Sequence, residues 1–180
     1  MRLLCTLFAG LVLATNCLAA QPLLTPLELQ AQLPNPQVRV IDIRDAKSYA
    51  ANHIPGAVNA PYGQWRGPAS NPGELPGLPA LTTLVQSLGL TPAVHAVVVS
   101  SGADATDFGA SARVYWTLKT LGLKELSILN GGLKAWELAK LPGSSEPVKV
   151  AASGFQPKLD NSFFNYNFIP DIEKSFWNPS

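Results

Sequence analysis

A short run of small and polar residues in the middle of the chain has the composition of an anion-binding loop. It follows the apolar segment 95–100 (HAVVVS) and precedes a segment with helical spacing. Free backbone N–H groups and the helix dipole at such a junction favour an anion, and small residues let a ligand approach the backbone. The candidate loop residues are Ser101, Gly102, Ala103, Asp104, Ala105 and Thr106. An ordinary connection between a strand and a helix is the alternative, and the pattern alone favours it.

Ser101 could act as a nucleophile only if a general base lay beside it. The only histidines are His53 and His95. His53 belongs to a turn, HIPGA, where a structural hydrogen-bonding role is favoured. His95 begins the strand that Ser101 follows, and six residues of strand separate the two side chains by about 20 Å. A serine hydrolase is therefore not predicted.

Two arginines are candidate anion ligands, and each has a structural alternative. Arg44 and Asp42 alternate along a strand, so both side chains face one side. Arg44 could hold an anion with two hydrogen bonds, or it could pair with Asp42 or Asp45, which is favoured. Arg113 could bind an anion, contact a second domain, or be a solvated or paired helix residue.

Alternating strand and helix patterns predict the elements that position these residues. Residues 61–79 contain five prolines and four glycines and are predicted to be a surface loop rather than part of the core. Strands are predicted at 37–43, 58–60, 95–100 and 125–129, and helices at 25–33, 45–50, 80–88, 108–121 and 133–141. This order predicts an α/β fold in three layers, with a central parallel sheet between helices. Trp116 and Trp136 lie at helical core spacing and are predicted to be packing residues.

Residues 1–20 have the pattern of a secretory signal. Arg2 precedes an apolar stretch from Leu3 to Leu13, and small residues at 19 and 20 suit cleavage before Gln21. The protein is therefore expected to be exported, to the periplasm or the medium. Both cysteines, at 5 and 17, would leave with the signal. A lipoprotein attached through Cys17 is a weaker alternative, because the bulky Asn16 precedes that cysteine.

Composition excludes several classes of function. Removal of residues 1–20 takes away one of 13 basic residues, so 12 bases face 12 acids. A neutral chain with 14% charged residues is a poor nucleic-acid binder. After residue 20 no apolar run approaches the ~18 residues of a membrane span. A mature chain without cysteine has no disulfides and no cysteine-ligated zinc, and no metal or other cofactor is predicted.

The C-terminal segment, residues 143–180, differs from the rest of the chain. Seven of the fifteen aromatic residues lie between Phe155 and Trp177, without a clear period. This linker-like segment either packs across the domain or is the remnant of a larger protein. The predicted organisation is a signal at 1–20, one domain at 21–142 and this segment.

Several motifs together resemble those of the rhodanese (thiosulfate sulfurtransferase) family. The resemblance covers about residues 22–142 and is greatest to the first, non-catalytic half of tandem two-domain sulfurtransferases. The motifs that carry it are Asp42-Ile43-Arg44, Tyr49, His53-Ile54-Pro55-Gly56-Ala57-Val58-Asn59, Val97-Val98-Val99-Ser100, Phe108, Ala112-Arg113, Tyr115-Trp116, Leu121-Gly122, Leu129-Asn130-Gly131-Gly132 and Ala135-Trp136.

The resemblance implies sulfur transfer through a cysteine persulfide, with the cysteine at the start of the loop after the central strand. Ser101 stands at that position in this chain, and serine cannot form a persulfide. The stretch from Ser101 to Phe108 also looks longer than the family's active loop. Asp104 and Asp107 within it would repel an anionic substrate.

Two functions remain open at this stage. The favoured one is a catalytically silent rhodanese-like module that docks, regulates, or is left from a tandem enzyme whose second domain is missing. The alternative is thiosulfate sulfurtransferase activity that depends on a separate cysteine-bearing domain or partner. The expected ligand is a small sulfur-containing anion or a protein partner.

Overall fold

The computed structural model describes residues 20–160 and residue 162. Their elements, in chain order, are β1 (Leu23–Leu24), α1 (Pro26–Gln32), β2 (Val38–Asp42), α2 (Ala46–Ala51), β3 (Val58–Asn59), a 3₁₀ helix (Tyr62–Trp65), α3 (Leu78–Ser87), β4 (His95–Val99), α4 (Ala105–Thr120), β5 (Leu126–Leu129) and α5 (Gly132–Leu138). None of the helices in this part of the chain is both long and apolar enough to cross a membrane.

The five strands form one parallel sheet in the order β1-β5-β4-β2-β3. The central strand β4 carries four successive buried residues, because both faces of the sheet are covered. One face packs against α3, α4 and the 3₁₀ helix. The other packs against α1 and α5. The predicted three-layer α/β architecture with a central parallel sheet is confirmed.

Local sequence signals account for several element boundaries. The Thr25 side chain caps α1, and the Glu28 carboxylate accepts from the Thr25 N–H at 2.8 Å, which completes a capping box. Asp45 caps α2 through the N–H groups of Lys47 and Ser48. In α4 the cap is Asp104, which accepts from the Asp107 N–H at 3.0 Å. That cap starts α4 at Ala105, three residues before the predicted position.

The prediction that residues 61–79 lie wholly outside the core is wrong. The 3₁₀ helix turns the Trp65 ring into the core, where it is fully buried. The indole N–H donates to the Ala60 carbonyl at 3.1 Å, so the one polar atom of the ring has a partner. Proline and glycine content identified the irregular backbone but not the inward aromatic anchor.

The two predicted packing tryptophans differ in their surroundings. Trp136 is fully buried and belongs to the core between α1 and α5, as predicted. Trp116 is only partly buried, and the Arg113 guanidinium lies 5.1 Å from the centre of its ring. Trp116 is therefore a stacking platform for Arg113 rather than a core residue, which corrects the prediction made from helical spacing.

The described part of the C-terminal segment, residues 143–160, packs across the domain. Val148, Val150, Phe155 and Leu159 contact the core on the α3 and α4 side of the sheet. The Asp160 N–H donates to the Thr120 carbonyl, at the last residue of α4, at 2.9 Å. The other predicted features of this segment fall on residues 161 and 163–180, and the predicted signal, residues 1–20, falls on residues 1–19 in all but its last residue. Residues 1–19, 161 and 163–180 lie outside the described residues.

Candidate active-site-like loop

The loop after β4 lies at the carboxyl edge of the sheet, as expected for a ligand site in a parallel sheet. It is shorter than the sequence suggested. Because α4 begins at Ala105, Ala105 and Thr106 lie in the first turn of the helix and not in the loop, which corrects their assignment. The connection between strand and helix consists of Ser100 to Asp104, and its greater length relative to the family's active loop stays a prediction.

The Asp107 side chain is turned back onto this loop. Its Oδ2 accepts from the Gly102 N–H at 2.5 Å and from the Ala103 N–H at 3.3 Å. Partial burial alone would raise the pKa of Asp107, but hydrogen bonds from Gly102, Ser100, Ser101 and Ala103 together outweigh it. The pKa of Asp107 therefore lies below its ordinary value. At neutral pH the loop encloses a carboxylate that belongs to the chain itself.

The loop is pressed against the turn that starts α5. Gly102 has a φ of +80°, and a Cβ at this position would overlap the carbonyl oxygen of Gly131. The carbonyls of Ser100 and Ser101 accept from the N–H groups of Leu133 and Lys134, both at 2.9 Å. Two connections at the carboxyl edge thus support each other, and the loop satisfies the first free N–H groups of α5. The pair Gly131-Gly132 was the sequence signal for this contact, although the pattern alone did not reveal it.

Arg44 is engaged away from the loop. Its Nε donates to both carboxylate oxygens of Asp42, at 3.0 and 3.1 Å, and one terminal nitrogen lies 2.5 Å from Oδ2. The same nitrogen donates to the Asn52 carbonyl at 2.6 Å. The Asp42 side chain is 1% exposed and that of Arg44 is 11% exposed. These contacts support the pairing interpretation, and binding of an anion by Arg44 stays a prediction.

Arg113 is directed to the irregular segment 61–79. Its guanidinium donates to the Gly73 carbonyl at 2.5 Å and stacks on Trp116. These contacts hold the irregular segment against α4. They place the arginine with structural partners, so the structure offers no support for Arg113 as an anion ligand of the loop after β4.

Neither histidine serves Ser101 as a base. His53 is fully buried, its ring stacks on Tyr49 with centroids 4.0 Å apart, and its Nδ1 lies 2.8 Å from the Tyr49 carbonyl oxygen. His95 lies at the amino end of β4, with its Nε2 2.8 Å from the Ser127 hydroxyl oxygen. Burial lowers the pKa of His95, although the Glu125 charge partly opposes the shift. Both are structural residues within the sheet layers.

A metal centre is not formed by the part of the chain that the structure describes. Within residues 20–160 and 162 no three histidine, cysteine, aspartate or glutamate side chains converge as a metal site would require. Two carboxylates, those of Asp104 and Asp107, lie at the loop, and Asp107 is the one that accepts from its Gly102 and Ala103 N–H groups. This geometry can hold an anion, and the anion that it holds is Asp107.

Comparisons with known proteins agree with this architecture. The sequence profile of the rhodanese-like domain matches residues 25–139. A thiosulfate sulfurtransferase of Azotobacter vinelandii is 36% identical over 131 residues, which are 71% of this chain and 46% of that protein. The bovine thiosulfate sulfurtransferase is 35% identical over 137 residues, 71% of this chain and 45% of that protein. The chain thus spans less than half the length of these curated relatives.

Solved structures give the same result for the fold. A 3-mercaptopyruvate sulfotransferase from Escherichia coli, whose fold is described as rhodanese, superposes with a TM-score of 0.66 at 22% sequence identity. The superposition covers 78% of this chain and 56% of that one.

Proposed function

We propose that this chain, which belongs to the rhodanese family, is a sulfurtransferase-family domain whose loop after β4 is catalytically silent. The observation that carries the proposal is the position of Ser101. Ser101 is the second residue after β4, which ends at Val99, and the family's persulfide-forming cysteine is expected at this position. A serine hydroxyl is scarcely ionised at neutral pH and cannot hold a transferable sulfur. No cysteine occurs between residues 20 and 180.

A second candidate function is sulfur transfer shared with another polypeptide or domain. It is supported by coverage, because the chain matches less than half of each curated relative. On this proposal the chain corresponds to the first half of a tandem sulfurtransferase, and a separate rhodanese domain supplies the cysteine. The partner is then that domain or another protein, and the ligand is a small sulfur-containing anion.

The test of the silent-loop proposal is a sulfur-transfer assay on the purified full chain. Incubation with thiosulfate and cyanide is expected to give no thiocyanate above a heat-inactivated control, because no thiolate is present at residue 101. Thiocyanate formed at a rate above that control contradicts the proposal. Addition of a separate cysteine-bearing rhodanese domain distinguishes the second candidate, which requires the mixture to exceed that domain alone.

Export is part of the proposal, supported by the pattern of residues 1–20. We expect the chain recovered from the periplasm or medium of a bacterial host to begin at Gln21 or within two residues of it, because the small residues Ala19 and Ala20 suit the peptidase. The intact mass of the recovered protein checks this. A mass that retains residues 1–20 contradicts it.

A further inference from the structure

The Asp107 carboxylate makes contacts that differ from those of an ordinary acid in the first turn of a helix. Asp107 is the third residue of α4 after the cap Asp104. Glu28 occupies the same position in α1, and there the carboxylate bonds the N–H of its own cap, Thr25. Asp107 reaches past its cap to the N–H groups of Gly102 and Ala103, five and four residues earlier.

These two N–H groups are the donors with which the loop would otherwise stabilise an anion. They belong to the two residues that immediately follow Ser101 in the chain. The side chains of Ser100 and Ser101 also contribute to the lowered pKa of this carboxylate. Two backbone donors of one short loop thus converge on one internal acceptor.

We propose that Asp107 is a built-in ligand of the loop, which engages the Gly102 and Ala103 N–H groups and so closes the loop to an external anion or to a thiolate at residue 101. This inference rests on the proposed function, a catalytically silent loop, and adds Asp107 to Ser101 as a second cause of that silence. The lowered pKa keeps the carboxylate ionised at neutral pH, so an approaching anion meets both engaged donors and a like charge.

The consequence is that Ser101→Cys alone does not restore a reactive sulfur. A thiol introduced at residue 101 lies beside an ionised carboxylate and finds the loop donors occupied. Both effects disfavour the thiolate. Removal of the carboxylate frees the Gly102 and Ala103 N–H groups, which lie in the loop just before α4, and free N–H groups next to a helix N-terminus lower a thiol pKa.

The experiment compares the thiol introduced by Ser101→Cys in three backgrounds of the full chain. The first background is otherwise unchanged, the second carries Asp107→Ala, and the third carries Asp104→Asn. Asp104→Asn is the matched control, because it removes one negative charge from the same turn and asparagine retains the cap. The rate of alkylation by iodoacetamide is measured as a function of pH. Mass spectrometry of the peptide that contains residue 101 gives the alkylated fraction, so Cys5 and Cys17 do not contribute to the result.

Each result has a defined meaning. We expect the apparent thiol pKa to be at or above its ordinary value, about 8.5, in the first background and to fall by at least about one unit with Asp107→Ala. Asp104→Asn is expected to shift it by less than about 0.3 units. Equal profiles with and without Asp107 overturn the inference, and so does an equal shift with Asp104→Asn, because charge alone then accounts for the effect.

A folding control keeps the test decisive. Circular dichroism and the urea midpoint establish that each variant is folded, and Asp107→Ser replaces Asp107→Ala if the alanine variant is not. The result is independent of sulfur transfer. Thiocyanate production by the unsubstituted chain overturns the proposed function, whereas unchanged thiol profiles overturn only the role of Asp107.

Discussion

Gly102→Ala is expected to lower the free energy of unfolding by about 3 kcal/mol or more. Gly102 has a φ of +80°, a region that costs an L side chain about 1–2 kcal/mol. The added Cβ would also overlap the Gly131 carbonyl oxygen, which is a backbone atom and cannot swing aside as a side chain can. Overpacking of this kind costs about 1–3 kcal/mol more. Urea denaturation followed by circular dichroism measures the change.

Two other glycines separate the contributions to this loss. Gly56 has a φ of +79° with nothing within 4 Å of its added Cβ, so Gly56→Ala carries the conformational cost without the overlap. Gly109 lies within α4, and its Cβ would also meet nothing within 4 Å, so Gly109→Ala is expected to be neutral or stabilising. If Gly102→Ala costs no more than Gly56→Ala, the loop and the Gly131 turn are not in firm contact.

Asp42→Asn is expected to destabilise the protein by about 3–5 kcal/mol, because it leaves the largely buried Arg44 cation without a counter-charge. The Asn52 carbonyl remains as a partner for one terminal nitrogen, but a neutral acceptor does not replace the carboxylate. The loss is measured as the shift of the urea midpoint at constant slope. Since Arg44 also holds the Asn52 carbonyl, the turn containing His53 is expected to lose protection in hydrogen exchange.

The control for Asp42→Asn is the same change at an exposed carboxylate. Asp160 is exposed, and among the described residues its carboxylate bonds only Ser162, so Asp160→Asn is expected to change the unfolding free energy by less than about 0.5 kcal/mol. The double variant Asp42→Leu with Arg44→Met removes both charges and is expected to recover part of the loss. Equal effects of the two asparagine substitutions would show that the buried pair contributes nothing beyond an exposed charge.

The unfolding experiments and the thiol titration address different properties of one edge of the sheet. Gly102 and Gly132 fix how closely the loop and the α5 turn approach, and Asp107 fixes what the loop holds. The ion pair of Asp42 and Arg44 fixes the neighbouring connection after β2. At this edge of the sheet the backbone N–H groups are thus arranged as in an anion site, and the Asp107 carboxylate occupies them.

Much of the fold is a local property of the sequence. The β-branched runs of β2 and β4 predicted buried strands, and Thr25 and Glu28 predicted a capped helix, because each signal depends on residues within one turn or one strand. The alternation of these elements sufficed for the three-layer arrangement. The position of Ser101 just after a central strand also followed from the sequence, since the apolar run before it and the motifs around it mark that position.

The rest depended on contacts between distant residues. The two-residue strand β1 exists because Leu23 pairs with Ile128, and no local pattern marks so short a strand. The Trp65 ring became part of the core only when α3 and α4 enclosed it. The partner of a long polar side chain also depends on distant residues. The sequence placed Arg44 at the end of a strand, but it did not decide whether its guanidinium binds an anion or the Asp42 carboxylate.

The sequence by itself determined the family, the layered fold and the loss of the sulfur nucleophile, because these depend on residue identity and order. Only the tertiary structure decided which group the loop N–H groups bind in the absence of a sulfur nucleophile. Asp107 was visible as a repelling charge, but its capture by the Gly102 and Ala103 N–H groups required the turn of α4 that brings it back over the loop. Residue types set the available donors and acceptors, and the folded backbone sets which of them meet.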